Sequence, residues 1–330
     1  MKKRLLDLRG QEPLLNIVSY GRGGPRSLTR EQREQIARTT GRVPEVMVKV
    51  SGGARTLAGV ERHMDYVGRK GQLSMESDTG ERLGPRGFEA DLIRDWNLDL
   101  EAHQRQNQRS IRGGRKPPKL VHNVIFSMPP GTPPKAVLRA VRKLAVDQFA
   151  LQHRYAMVLH TDEPHPHVHL VVKAMSEQGE RLNIRKATLR EWRQQFAANL
   201  RELGVAANAT ERAVRGESRI RKSDGIFRAA QREESTHMRD LFRSVTTEIA
   251  KGRVTPERGK LTLSATRKTV VDGWRAVSER LRDHGDAELA KQVDTFVERM
   301  PSVQTERERI LEQLRRPTRT RQVQPPHRTR

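Results

Sequence analysis

Apolar positions alternate with polar ones along VPEVMVKVSGG, residues 43–53, and this predicts a half-buried strand. A helix follows. Thr56 is its candidate N-cap, Leu57, Val60, Met64 and Val67 form its apolar stripe, and Gly68 is its stop. LVHNVIFSM (120–128) is the clearest strand, and the PPGTPP that comes next breaks it. Lys135–Leu151 reads as an amphipathic helix. Tyr155–Leu159 and His167–Ala174 read as two strands joined by a turn, TDEPHP. Lys186–Leu203 is helical, with Gly204 as its stop. Between these elements, 71–118 is polar and Gly-rich, with one helical piece over Phe88–Leu100. The order predicts an α+β fold, a small, mostly antiparallel sheet with helices on one face.

Ahead of the first strand, residues 1–42 read as a basic lead-in, with a short helix over Leu28–Thr39. The sheet-forming domain is expected over 43–224 and an all-helical domain over 225–314. The helices of the latter span Ser235–Lys251, Ser264–Arg282, Ala287–Arg299 and Thr305–Arg315. From Arg315 to the last residue there are six arginines and no acidic residue, and that tail reads as disordered.

Charge changes the picture. Lys plus Arg number 64 against 40 acidic residues, for a formal net charge of +24. Such a field attracts polyanions and makes their binding salt-sensitive. With no cysteine, disulfides and thiolate metal sites are excluded, so a metal must rest on His, Asp or Glu. No apolar run approaches the roughly 20 residues of a membrane-spanning helix, and no signal peptide is visible, so a cytoplasmic protein without membrane insertion is expected.

Four of the eleven histidines lie in LHTDEPHPHVH. His167 and His169 are two apart on a strand and share a face, and His160 should lie about opposite His167. Three neutral imidazoles leave coordination positions open, as at a catalytic metal site. His165 is the alternative third ligand. Asp162 is either an acceptor for a histidine N–H, a proton acceptor, or a turn residue. Of three tyrosines, Tyr66 stands beside the apolar stripe among Arg62, His63, Arg69 and Lys70. Cations favour the phenolate that a tyrosine nucleophile needs, and they hold phosphate. Tyr20, in a Gly-Arg loop, is the second candidate.

VERHMDYVGRKG, LVHNVIFSMPPGT and LHTDEPHPHVHLVVK, in this order, resemble the three motifs of conjugative and mobilisation relaxases of the HUH endonuclease superfamily. The nearest subgroup is the T-DNA border endonuclease-like one, of MOBP type. The resemblance spans roughly residues 43–215. It implies that Tyr66 joins covalently to DNA as a 5′-phosphotyrosine, that His160, His167 and His169 hold a divalent ion (magnesium or manganese), and that Ser127 helps hold DNA beside the nick. Arg69, Lys70 and Lys173 are expected to bind the substrate; relatives often carry Asn where Lys173 stands. Arg181, Arg185, Lys186 and Arg190 are candidates for a basic groove. The implied partners are single-stranded DNA at an origin of transfer, relaxosome accessory proteins and a type IV secretion coupling protein, with translocation while bound to DNA. Rolling-circle initiators share the chemistry but place the tyrosine after the histidines. A basic accessory protein holding zinc structurally is the non-enzymatic alternative.

Overall fold

The computed structural model describes residues 17–23, 27–83, 88–98, 111–114, 116–217, 229, 232, 234–252 and 257–315. The chain divides into two compact units. One comprises Met1–Leu15 and Arg30–Thr210, the other Asn16–Thr29 and Glu211–Arg330. In chain order, the elements up to the middle of the sequence are α1 (Ile17–Tyr20), α2 (Arg30–Thr40), β1 (Met47–Ala54), α3 (Leu57–Val67), β2 (Met75–Ser77), β3 (Arg82–Leu83), α4 (Phe88–Asp95) and β4 (Val121–Ser127). They are followed by α5 (Pro134–Phe149), β5 (Tyr155–His160), β6 (His167–Lys173), α6 (Lys186–Glu202), α7 (Thr236–Ala250), α8 (Arg258–Asp283), α9 (Ala287–Glu298) and α10 (Glu306–Arg315). No helix among the described residues is long and apolar enough to cross a membrane.

The first unit is built on a six-stranded antiparallel sheet in the order β1-β4-β6-β5-β2-β3. β6 lies inside the sheet and is buried along its whole length. Its pleat sends Val168, Leu170 and Val172 to one side. There they join Val124 and Phe126 of β4, Tyr155 and Met157 of β5, and the apolar faces of α5 and α6. Phe126 meets Phe196 edge to face, with ring centroids 5.4 Å apart. The alternate positions Val121, Ala156, Val158 and Val171 pack with Val60, Met64 and Val67 of α3 and with Leu92, Ile93 and Trp96 of α4. Helices therefore cover both faces, not the single face that the order of elements suggested. α3 is narrow in its apolar stripe, but α4 joins it in covering the second face.

The two-stranded piece β2–β3 lies inside the segment expected to hold only a helix. Polar side chains hold it. Glu76 takes both Nε and Nη2 of Arg142, at 2.5 and 2.6 Å, and Asp78 accepts from Arg154 Nε at 2.5 Å. The helix foreseen within the lead-in forms as α2 and belongs to the sheet unit. Asn208 Nδ2 donates to Thr39 Oγ1 at 3.1 Å, and Glu45 accepts from Asn208 Nδ2 and the Thr210 backbone N–H.

The second unit is helical, as its patterning predicts. Trp274 of α8 is fully buried, meets Phe296 of α9 edge to face at 5.3 Å, and donates from Nε1 to the Val214 carbonyl at 2.8 Å. α1 also belongs here: Tyr20 is buried, with the Arg280 guanidinium 5.3 Å from its ring centroid. The Arg-rich tail from 316 onward lies outside the described residues.

A Cβ at Gly273 would come 2.2 Å from the Ile17 carbonyl oxygen. Gly273→Ala should therefore push α1 off α8 and cost the helical unit about 1–3 kcal/mol. Chemical denaturation and limited proteolysis before residue 30 measure this; an unchanged midpoint and cleavage pattern would contradict the packing.

Candidate metal and nucleophile site

The hairpin β5–β6 pairs His160 directly with His167. His169, two residues on, shares the face, so the three rings stand together, with centroids 4.6 to 5.3 Å apart. One nitrogen from each can be chosen so that all lie within 4.8 Å of one another. All three side chains are buried.

One nitrogen of each ring is already taken by the protein. His160 Nε2 donates to the Val67 carbonyl at 2.8 Å, and His167 Nδ1 to the His165 carbonyl at 3.0 Å. His169 Nδ1 meets the side-chain amide of Asn123, with Nδ2 at 2.9 Å and Oδ1 at 3.2 Å. Such outer partners orient ligand histidines and fix the tautomer. His160 Nδ1 is buried without a hydrogen bond. Burial lowers the pKa of His160 and, with His160 and His167 nearby, drives that of His169 down to about 3. A neutral ring keeps the lone pair that a metal needs. The donor set thus fits a divalent ion at three nitrogens with further positions open. His165 contributes its backbone carbonyl; its side chain is exposed.

Tyr66 is on the last turn of α3. Thr56 caps that helix by accepting from the Gly59 N–H at 3.1 Å, and Val60, Met64 and Val67 bury one stripe. Tyr66 falls off the stripe and is 60% exposed, whereas Tyr20 and Tyr155 are each 2% exposed. Val67, the next residue, carries the carbonyl that holds His160. Beyond the helix Arg69, Lys70 and Gly71 have φ of 53°, 55° and 80°. For the two non-glycines this left-handed geometry is unfavourable by about 1–2 kcal/mol each. It aims Arg69 inward: the guanidinium lies 5.8 Å from the Tyr66 ring centroid, and its Nη2 is 2.7 Å from Asp162 Oδ2. The other Asp162 oxygen is 3.7 Å from His160 Nδ1. Burial, the largest single effect, raises the Asp162 pKa, but its own backbone N–H, Arg69 and His160 together outweigh it and hold the carboxyl below the usual range. Such a carboxylate is a weak proton acceptor. Lys70 is exposed on the same turn.

Ser127 pairs with His167 across β4–β6 and so lies on the histidine face, buried, its hydroxyl 3.5 Å from the Met128 carbonyl. Lys173 stands apart. It is four residues beyond His169, roughly 13 Å along the strand, and its buried side chain reaches Glu177 at 2.8 Å. It is not brought to the cluster. Asn123, which supports His169, was overlooked in the sequence. Its signal was a polar residue at the same strand parity as Ser127.

Residues 66–205 match the model of the MobA/VirD2-like relaxase family, over its nuclease domain. Over these residues the chain is similar to the nuclease domain of the VirD2-like relaxases. T-DNA border endonuclease VirD2 of Agrobacterium fabrum is 25% identical over 210 residues, which are 59% of this chain and 46% of that protein. VirD2 of Rhizobium radiobacter is 26% identical over 184 residues, 52% and 43% of the two chains. VirD2 of Rhizobium rhizogenes is 25% identical over 187 residues, 52% and 42%. The chain spans less than half the length of these relatives. No solved structure matches at a significant level. The relaxase match begins at Tyr66 and takes in all three histidines.

Two outcomes follow from this geometry. Asn123→Leu should weaken manganese binding about 10–100-fold by calorimetry, because His169 loses the group that orients it; unchanged affinity would contradict that role. The second concerns pH. His169 and His122 are pushed down to about 3 and about 4 from 6.5, largely by burial. The unfolded chain takes up these protons first. Stability in chelator is therefore complete above about pH 6.5 and is lost progressively as pH falls toward 3. Denaturation midpoints at pH 7, 5 and 4 measure it; a flat series would refute the assignment.

Proposed function

We propose that this protein cuts single-stranded DNA at one site by transesterification, with Tyr66 as nucleophile, to mobilise a plasmid or related element. The observation that carries the reading is the cluster of three buried histidines, each with its outer nitrogen held, hydrogen-bonded to the residue next to an exposed tyrosine. The VirD2-like relaxase match points the same way.

The Tyr66 oxygen attacks the scissile phosphorus. The phenolic proton is released, the bond to the 3′-oxygen breaks, and a 3′-hydroxyl and a 5′-phosphotyrosine result. Arg69, beside the ring, draws the phosphate in. Asp162 positions Arg69 through their ion pair, and Ser127 offers a hydroxyl on the face where the DNA would lie. Lys70 adds charge at the turn. A divalent ion on His160, His167 and His169, magnesium or manganese, supplies neutralisation of a phosphate oxygen when bound. The phosphodiester energy is kept in the adduct, so a 3′-hydroxyl can reverse the step. Accessory proteins at the origin and a secretion coupling protein are the partners this activity calls for.

Incubation with single-stranded oligonucleotides from the replicon's own origin, with manganese or chelator, tests the reading on a denaturing gel. Wild type should give a metal-dependent covalent adduct and Tyr66→Phe none. An adduct that persists in Tyr66→Phe refutes the nucleophile. DNA binding without an adduct on any strand favours the accessory-protein alternative.

A further inference from the structure

Tyr66 also lines a cleft of about 460 Å³, whose wall includes none of the three histidines. It is an open depression in the surface rather than an enclosed pocket. Its wall comes from the end of β1, past the register shift between Val50 and Gly52, and from α3. Two glycines keep that wall bare. Gly53 has a φ of 127°, and a Cβ there would come 2.1 Å from the Val121 carbonyl oxygen. A Cβ at Gly59 would come 2.9 Å from Thr56 Oγ1.

The polar lining is Arg55, Arg62 and His63. Arg55 donates to the Pro117 carbonyl, and behind it Lys119 donates to the Gly52 carbonyl at 2.6 Å. Arg181 donates to the Lys119 carbonyl at 3.0 Å. Burial lowers the Lys119 pKa, and the nearby Arg55 adds to the effect. Among the described residues, the charged groups that act on Lys119 and on His122 are basic. Backbone carbonyls thus tether Arg55, Lys119 and Arg181 close together, an arrangement that an incoming phosphate relieves. His63 also lines the cleft, and its Nε2 is buried with no hydrogen-bond partner among the described residues.

We propose that this cleft is a nucleotide seat, holding the nucleotide next to the reacting phosphate through Arg55 and Arg62, with its sugar and base against the glycine wall. The seat rests on the reading of Tyr66 as a nucleophile toward single-stranded DNA. A strand crossing Tyr66 would then be held at the histidines and, one nucleotide away, in the cleft.

Two readouts test it without cleavage. In chelator, fluorescence anisotropy with an oligothymidylate of about 12 nucleotides gives affinity across a salt series. Arg62 is exposed, so Arg62→Gln keeps the fold; Arg55→Gln is the second variant. Each should weaken binding roughly tenfold and reduce the salt slope by about 0.7, the share of one phosphate. Lys143→Gln, on the exposed surface of α5, should change neither. The second readout uses nitration by tetranitromethane, since Tyr66 is the exposed tyrosine. A thymidylate tetramer should slow Tyr66 nitration, measured by mass spectrometry, and Arg62→Gln should abolish that protection. Cleft variants that behave as Lys143→Gln, in a protein that still binds DNA and forms the adduct, overturn the seat alone. A wild type that binds no oligonucleotide and forms no adduct overturns the seat and the proposed function together.

Discussion

The hydrogen bond from His160 Nε2 to the Val67 carbonyl joins the sheet to the helix that carries Tyr66. It is buried, and breaking it would strand a desolvated ring nitrogen and a carbonyl at a helix end, which costs more than the bond itself contributes. The same contact fixes the ring's orientation and so the direction of Nδ1. His160 and Tyr66 are thereby placed by one interaction rather than by a loop. The ion pair of Arg69 with Asp162 is a second tie between the same parts. It is half exposed and contributes less to stability, but it sets where the guanidinium points.

The sheet makes this possible by giving its two faces different tasks. One face is apolar along β4, β5 and β6 and is sealed by α5 and α6. The other is apolar where α3 and α4 cover it and carries Ser127, His167 and His169 toward one end of the strands. Because side chains alternate along a strand, HVHLVVK supplies both faces at once: two histidines on one side, and Val168, Leu170 and Val172 on the other.

That alternation is why much of the arrangement was legible in the sequence. The strands at 121–127, 155–160 and 167–173, the Thr56 cap and the pairing of His160 with His167 follow from local pattern. Other features depend on distant partners. β2 and β3 are too short and polar to stand out and are held by Arg142 and Arg154, more than sixty residues away. The support of His160 is a main-chain carbonyl, which no residue type signals. Lys173 has the parity of the histidines, yet strand length carries it away from them and Glu177 holds it. The division at residues 16–29 was hidden too, since nothing in IVSY announces a fit against Gly273.

That last fit has a consequence for how the chain is made. α1 is translated before the sheet unit, but the helix that receives it, α8, is translated only after the whole sheet unit, which ends at Thr210. The sheet unit has all its strands in hand before then and can close while α1 is still unaccompanied. A four-residue segment cannot hold a helix by itself. Ile17 and Tyr20 are thus apolar and aromatic surface awaiting a partner made later, and the helical unit is completed only after the sheet unit.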